Sequence, residues 1–201
     1  MQWRLSLSII AIWFQLAHPA FAIEPPLVIL MPGGTGVPKA NGFLIRNKQE
    51  FDRAGFETVI SSTSRTTIAT ARAAKARGQK VFIIGISLGV ARSAAALAAG
   101  ARADAAVFYS GAYQTARTRL GSPQSLPPTL VVHHGEDGCP VTTPRNVEPF
   151  RRWSEGKIVK LVWITGSQNS GAWACGPMGA HGFFGQDRKA ISTAINFLKR
   201  Y

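Results

Sequence analysis

The chain has 201 residues, enough for one domain with a substantial apolar core. Its formal net charge is +13, from 23 basic and 10 acidic residues. The basic residues form no run of five or more and aromatic residues do not alternate with them, which argues against a specific nucleic-acid-binding protein. A basic surface of this kind can still be attracted to the anionic polymers of a cell envelope.

The N-terminus has the layout of a secretory signal peptide. Arg4 precedes an apolar stretch over 5–16, and the segment ends in the small-residue pattern Ala20-Phe21-Ala22. We therefore predict a cleaved signal peptide over 1–22, one mature domain over 23–201, and a periplasmic or secreted protein. The alternative is an uncleaved membrane anchor, but the apolar stretch is short for a span of about 20 residues.

Six short apolar runs then alternate with longer segments that suit helices. Near-continuous apolar runs rich in Val, Ile and Phe are typical of strands that are buried on both faces. The helical segments are 66–78, 89–101 and 186–201. The alternation predicts an α/β fold with a mostly parallel sheet of about six strands and helices on both faces. The predicted strands are 27–31, 57–61, 81–86, 104–109, 129–134 and 157–165.

The first predicted strand runs into a glycine-rich loop, "MPGGTG", at 31–36. Backbone N–H groups in such a loop can bind a negatively charged oxygen. A phosphate is the other candidate ligand, but Lys39 is not preceded by Gly, and Ala40 stands where a phosphate-binding loop needs Ser or Thr. We therefore predict no nucleotide or other cofactor, and an oxyanion site in which the N–H of Gly34 is one donor.

The third predicted strand ends in "GISLG", 85–89, and a helix of small residues begins at once. The pattern G-x-S-x-G between a strand and a helix is typical of a nucleophile held on a sharp turn at the carboxyl end of a sheet. The nucleophile would be Ser87. The N–H of Leu88, at the N-terminus of the helix, would be the second oxyanion donor. The structural alternative is an ordinary serine in a glycine-rich packing turn.

A serine nucleophile needs a base, and three histidines follow the signal segment. His133 and His134 end the fifth strand and precede the acidic residues, so we expect them to lie at the edge of the core with hydrogen bonds to the backbone. His181 lies in a glycine-rich loop before the last helix. It follows the acidic residues, and the order Ser, Asp, His accompanies this serine motif. We therefore predict His181 as the base.

Two acidic residues follow the fifth strand in "HHGEDGCP", 133–140. A carboxylate there can hydrogen-bond the far nitrogen of the imidazole. We favour Asp137, because a glycine follows it and a turn there would expose its carboxylate, and Glu136 stays open as the alternative. A zinc site from the His, Asp and Cys residues of this segment would lack the usual ligand spacing, so we predict no metal.

The order of glycine-rich loop, serine motif, acid and base resembles the α/β-hydrolase superfamily over nearly all of the predicted mature chain. More narrowly, "MPGGTG", "HHGEDGC" (133–139) and "HGF" (181–183) are similar to the motifs of a group of small, secreted, uncharacterised bacterial α/β-hydrolases. The resemblance implies an α/β-hydrolase fold with Ser87 as nucleophile, Asp137 as acid and His181 as base.

The two cysteines stand close to the predicted acid and base. Pairing is the default for two cysteines in an exported chain, so we expect a disulfide between Cys139 and Cys175 that links the two loops. The segment between the fourth and fifth strands is too short for a cap domain, which predicts an open site. Tyr113 and Trp173 are candidates to line a pocket for an acyl or aromatic group, or else packing aromatics.

Together these predictions indicate an exported serine hydrolase. The reaction would be the hydrolysis of a carboxylic ester, small or polymeric, through a Ser-His-Asp triad and an acyl-enzyme. The alternative function is a non-catalytic domain that uses its basic surface to bind anionic envelope polymers.

Overall fold

The structure is a computed structural model that describes residues 24–168 and 173–201, so the predicted signal peptide over 1–22 lies outside the described residues. The strands are β1 (Leu27–Met31), β2 (Glu57–Ile60), β3 (Val81–Ile86), β4 (Ala105–Tyr109), β5 (Thr129–His134) and β6 (Ile158–Ile164). The α-helices are α1 (Phe43–Arg46), α2 (Lys48–Arg53), α3 (Ser64–Ala76), α4 (Leu88–Ala98), α5 (Tyr113–Leu120), α6 (Val147–Trp153) and α7 (Asp187–Leu198). Short 3-10 helices lie at Pro123–Ser125, Pro144–Asn146 and Ala180–Gly182.

All six strands pair in parallel, in the spatial order β2-β1-β3-β4-β5-β6. The predicted sheet of about six strands, mostly parallel and flanked by helices, is confirmed. β1, β3, β4 and β5 are buried along their whole length, which explains why their sequences are almost continuously apolar. The strand order reverses at β1, which has β2 on one side and β3 on the other. Open parallel sheets bind their ligands at the carboxyl ends of the strands near such a reversal.

Two apolar clusters form the core, one on each face of the sheet. One face packs against α3, α4, α5 and α6, and the other packs against α1, α2 and α7. The connection from β4 to β5 holds only α5 and one 3-10 helix, so the described residues include no separate cap domain. No helix within 24–168 or 173–201 has the length and apolar character needed to cross a membrane.

Candidate active site

Ser87 lies on the turn between β3 and α4, with φ 58° and ψ −126°. A positive φ is uncommon for a residue with a side chain and stores strain in the turn. Glycine is required on both sides of this serine. A Cβ on Gly89 would lie 2.1 Å from the carbonyl oxygen of Met31, and a Cβ on Gly85 would lie 2.9 Å from the carbonyl carbon of Gly89. The end of β1 and the start of α4 therefore pack backbone against backbone, which fixes Ser87 at the carboxyl end of the sheet.

A cavity of about 330 Å³ opens beside this turn. It is bounded by the glycine-rich loop (31–36), by α1 and by the loop that precedes α7, and both Ser87 and His181 line it. Much of its wall is apolar and comes from α1 and from Trp173, a residue that is 76% exposed. The cavity is therefore open to solvent near Trp173 and more enclosed near Ser87.

His181 and Asp137 form a buried pair behind the cavity. The Nδ1 atom of His181 lies 3.0 Å from Oδ2 and 3.2 Å from Oδ1 of Asp137. Because an ionised carboxylate can only accept a hydrogen bond, Nδ1 carries the proton and Nε2 is left as an acceptor. The structure thus brings Asp137 to His181, whereas the alternative acid, Glu136, is exposed to solvent.

The link from Ser87 to His181 is less direct. Both residues line the cavity, but in the described part of the chain no hydrogen bond joins the Ser87 hydroxyl to the imidazole. Hydrogen bonds between a nucleophile and its base are often long until substrate binds. The geometry therefore places Ser87 and His181 in the wall of one cavity, with Asp137 buried behind His181.

Two further groups hold the Asp137 carboxylate. The Cys139 N–H donates to Oδ1 at 3.0 Å, and the buried Thr142 hydroxyl donates to Oδ2 at 2.8 Å. Burial alone would raise the pKa of Asp137, but the hydrogen bond from His181, the charge that His181 carries when protonated, and these two donors outweigh burial and lower the pKa. Asp137 is therefore ionised at neutral pH. Thr142 was not predicted as a site residue, because nothing in "CPVTTP" marks one threonine as a partner of the acid.

His133 faces the same carboxylate from the other side. Its Nε2 lies 3.6 Å from Asp137 Oδ2, and its Nδ1 lies 3.4 Å from the Tyr113 hydroxyl. Burial lowers the pKa of His133 to about 4, although the negative charge of Asp137 opposes the shift. The prediction that His133 and His134 are satisfied by the backbone is wrong in part. His134 Nδ1 accepts a bond from the Glu136 N–H, but among the described residues the buried Nε2 of each ring has no hydrogen-bond partner.

We expect His133 to make folding stability depend on pH between about 4 and 6.5. Its pKa of about 4 in the folded state lies below the usual value near 6.5, so the unfolded chain binds more protons in this window and stability falls as pH falls. On going from pH 7 to pH 4.5, the free energy of unfolding should therefore fall by about 2 kcal/mol less in His133→Phe than in wild type. Urea unfolding at the two pH values measures this difference. Tyr109→Phe removes a buried hydroxyl that bonds the Ala190 carbonyl and not His133, so it should keep the wild-type pH dependence. Equal pH dependence in His133→Phe and wild type would contradict the assignment.

The two predicted oxyanion donors belong to backbone segments that adjoin Ser87. Leu88 is the first residue of α4, and Gly34 lines the cavity with a φ of 54°. A Cβ on Gly33 would lie 3.1 Å from the Cβ of Ser87, so the glycine-rich loop lies directly against the serine. In the described residues neither the Gly34 N–H nor the Leu88 N–H donates to a backbone carbonyl. Both N–H groups can therefore bind a ligand oxygen.

Cys139 and Cys175 form a disulfide, as predicted. The bond joins the segment that carries Asp137 to the wall of the cavity, because the Cys139 N–H binds Asp137 and Cys175 lines the cavity. With its cysteine oxidised, the "HHGEDGC" segment has no thiolate for a metal. No group of three or more His, Cys, Asp or Glu side chains in the described ranges could hold a metal ion.

The two candidate pocket aromatics have different environments. Trp173 lines the cavity, but Tyr113 does not. Tyr113 is the first residue of α5, only 1% exposed, and its ring stacks on Phe150 at a centroid distance of 5.0 Å. Tyr113 is therefore not a pocket residue but the packing aromatic of the alternative prediction, because the helix begins at this residue and turns its ring into the core. The apolar wall is instead supplied by "FLI" at 43–45 in α1, which was not predicted as a pocket element.

The chain has the α/β-hydrolase fold. Among solved structures, it is similar to the carboxylesterase Cest-2923 from Lactobacillus plantarum WCFS1, with a TM-score of 0.62 and 14% identity over 92% of this chain and 89% of that one. It is also similar to the Est2 esterase of the Planctomycetes species Thermogutta terrifontis with butyrate bound (TM-score 0.60, 15% identity, 90% and 86% covered). A structure of the metagenome-derived lipolytic enzymes LipS and LipT gives a TM-score of 0.61 at 12% identity, with 90% and 96% covered. No family model matches the sequence, and no curated protein matches it significantly. The resemblance to a narrower group of small secreted hydrolases stays a prediction.

Proposed function

We propose that the protein is an exported serine hydrolase that cleaves carboxylic esters. The observation that carries the proposal is the arrangement of three side chains: Ser87 and His181 line one cavity, and Asp137 binds the far nitrogen of the His181 ring. The choice of an ester is supported by the similarity of the fold to solved carboxylesterases and lipolytic enzymes. Export is supported by the signal-like N-terminus and by the disulfide, which is typical of an oxidising compartment.

In the proposed mechanism the Ser87 hydroxyl attacks the ester carbonyl while His181 Nε2 takes its proton. The N–H groups of Gly34 and Leu88 bind the oxygen that becomes negatively charged. Asp137 stabilises the positive imidazolium. The C–O bond then breaks, His181 returns the proton to the leaving alcohol, and an acyl group remains on Ser87. Water, activated by the same imidazole, releases the acid and restores the serine.

The shape of the cavity favours particular esters. Its apolar wall suits an acyl or aromatic group, and its opening near Trp173 leaves room for a large alcohol portion outside. We therefore propose esters with a compact acyl group, carried on either a small or a polymeric alcohol. Attraction of the basic surface to an anionic envelope would raise the local concentration of polymeric substrates.

The test uses a fluorophosphonate probe, which reacts with activated serines, on protein produced in an oxidising compartment. Intact mass should show one adduct on wild type, peptide mapping should find it on Ser87, and Ser87→Ala should show none. Ser192→Ala, an exposed serine of α7, is the matched control and should label like wild type. A folded, disulfide-bonded wild type without an adduct would contradict the proposal. Salt-sensitive retention on anionic polymers that is unchanged in Ser87→Ala would then favour the binding-domain alternative.

A further inference from the structure

Arg92, on the second turn of α4, binds the backbone of the glycine-rich loop. Its Nη1 donates to the carbonyl oxygen of Gly34 at 2.9 Å. Its Nη2 donates to the carbonyl oxygen of Pro32 and, at 3.4 Å, to that of Gly33. Three consecutive carbonyl groups therefore converge on one guanidinium. A planar guanidinium with donors in a fixed fork can bind several acceptors in one orientation, which a lysine ammonium cannot do.

The loop has few other anchors. Glycines at 33, 34 and 36 have no side chain to pack, and Gly34 and Gly36 have positive φ values of 54° and 92°. Within the loop, one backbone hydrogen bond joins the Gly36 N–H to the Gly33 carbonyl at 3.1 Å. Glycine-rich backbone has many accessible conformations, so an isolated loop of this composition would not keep one orientation of its N–H groups. The hydrogen bonds from Arg92 restrict that freedom.

The orientation imposed by Arg92 favours an oxyanion site. In a trans peptide, the C=O of one residue and the N–H of the next point in opposite directions, and the described chain contains no cis peptide bond. Because the three carbonyl groups point at the guanidinium, the N–H groups of Gly33, Gly34 and Thr35 point away from it. The loop lies against Ser87 and lines the cavity. Arg92 does not line that cavity, so the side of the loop that faces away from the guanidinium is the side available to a ligand in the cavity.

The charge of Arg92 has no carboxylate partner. No Asp or Glu in the described residues forms an ion pair with it, and its buried Nε has no hydrogen-bond partner. Burial, together with the positive charge of Arg119, lowers the pKa of the guanidinium. Burying a cation without a counter-ion costs free energy, so a residue with a purely structural role at this position is not expected to be charged. A positive charge on the carbonyl side of a peptide also polarises it and strengthens its N–H as a donor.

We propose that Arg92 is the positioning residue of the oxyanion site, which it acts on through the backbone of the glycine-rich loop. The proposal rests on the proposed serine-hydrolase function. Arg92 would touch no substrate atom. Its effect would be to aim and polarise the loop N–H groups, so it would lower the energy of the transition state more than it would strengthen ground-state binding.

Two variants test the proposal. Arg92→Met keeps an unbranched side chain without the charge, and Arg92→Lys keeps the charge without the forked donors of the guanidinium. We expect Arg92→Met to lower kcat by about 10- to 100-fold with KM changed by less than about threefold, because the loss of one oxyanion donor costs about 100-fold or more. Arg92→Lys should recover part of the loss. Arg72→Met is the matched control, since Arg72 is exposed on the neighbouring helix α3 and forms no hydrogen bond or ion pair among the described residues. The control should keep wild-type kinetics.

A thionoester substrate distinguishes an effect of Arg92 on the oxyanion site from an effect on the stability of the fold. Its sulfur accepts hydrogen bonds weakly, so an intact oxyanion site favours the ordinary ester over the thionoester. The ester-to-thionoester ratio of kcat/KM should fall in Arg92→Met and stay at the wild-type value in Arg72→Met. A lower kcat with an unchanged ratio would overturn the proposal, because Arg92 would then serve only the fold.

The backbone amides give a readout that needs no turnover. Backbone ¹⁵N relaxation by NMR should show Gly33 and Gly34 more mobile in Arg92→Met than in wild type, with the signals of the sheet unchanged. If wild type hydrolyses no ester but the two amides respond, the enzymatic function fails and the control of the loop by Arg92 stands. If the two amides are equally mobile in both proteins, the proposal for Arg92 is wrong, whatever the protein hydrolyses.

Discussion

The Asp137→Asn variant is expected to lose about 1,000- to 10,000-fold in kcat for ester hydrolysis. Asparagine fits the space and can still accept the Cys139 N–H bond, so the fold should survive. It cannot stabilise a positive imidazolium, and its amide favours the tautomer of His181 that carries the proton on the wrong nitrogen. KM should change little, because Asp137 is buried and does not line the cavity. Steady-state kinetics on a chromogenic ester checks the expectation.

The control for this variant is Glu136→Gln. Glu136 is exposed and adjacent in sequence, so its loss should change kcat by less than about twofold, as is usual for a surface substitution. Thermal unfolding of both variants must remain cooperative for the comparison to be valid. A large loss in Glu136→Gln with a small loss in Asp137→Asn would reverse the assignment of the acid.

Removal of the disulfide is expected to reduce both stability and turnover. The Cys139→Ser/Cys175→Ser double variant opens a loop with a sequence separation of 36, and the chain-entropy model gives a loss of about 4 kcal/mol in the free energy of unfolding. The bond also sets the position of the backbone at 139 that donates to Asp137 and of the cavity wall at 175. A shift of about 1 Å in such a group can cost about 100-fold in rate, so kcat should fall at least tenfold.

Denaturant unfolding gives the stability of the double variant, and kinetics at a temperature where it is fully folded gives its turnover. Wild type reduced by a thiol reagent should behave like the variant. This control excludes the two introduced serine side chains as the cause of the effect. A variant that is less stable but turns over at the wild-type rate would mean that the bond only stabilises the fold. That result would leave the serine, base and acid untouched.

Much of the fold was predictable from local pattern. Strands buried on both faces need continuous apolar runs, and the predicted strands agree with the observed ones to within about a residue at most ends. The grouping of Ser87, Asp137 and His181 was also predictable, because each follows a strand and parallel strands place their carboxyl ends at one edge of the sheet. The disulfide followed from two cysteines in a chain with a signal-like N-terminus.

The contacts that support these groups were not predictable from the sequence. Arg92 was only one polar residue on an alanine-rich helix, and its partners are carbonyl groups 58 to 60 residues away. Thr142 and His133 contact Asp137 because of the tertiary fold of a loop whose sequence shows no periodic pattern. Tyr113 could not be assigned to the pocket or to the core from the sequence, because the direction of its ring depends on where α5 begins. Each of these contacts depends on tertiary packing, which leaves no local signal.

The candidate site draws its groups from four separate stretches of the chain, each carried by a different connection of the sheet. No fragment that ends before the last of these, the 3-10 helix at Ala180–Gly182, contains all of them. The parallel pairing that brings them together is non-local, and such contacts form slowly during folding. Reactivity of Ser87 should therefore return late in refolding, after most of the secondary structure. A fluorophosphonate pulse during refolding would then report completion of the whole sheet, including the docking of its last loop, whereas circular dichroism would report the earlier formation of helices.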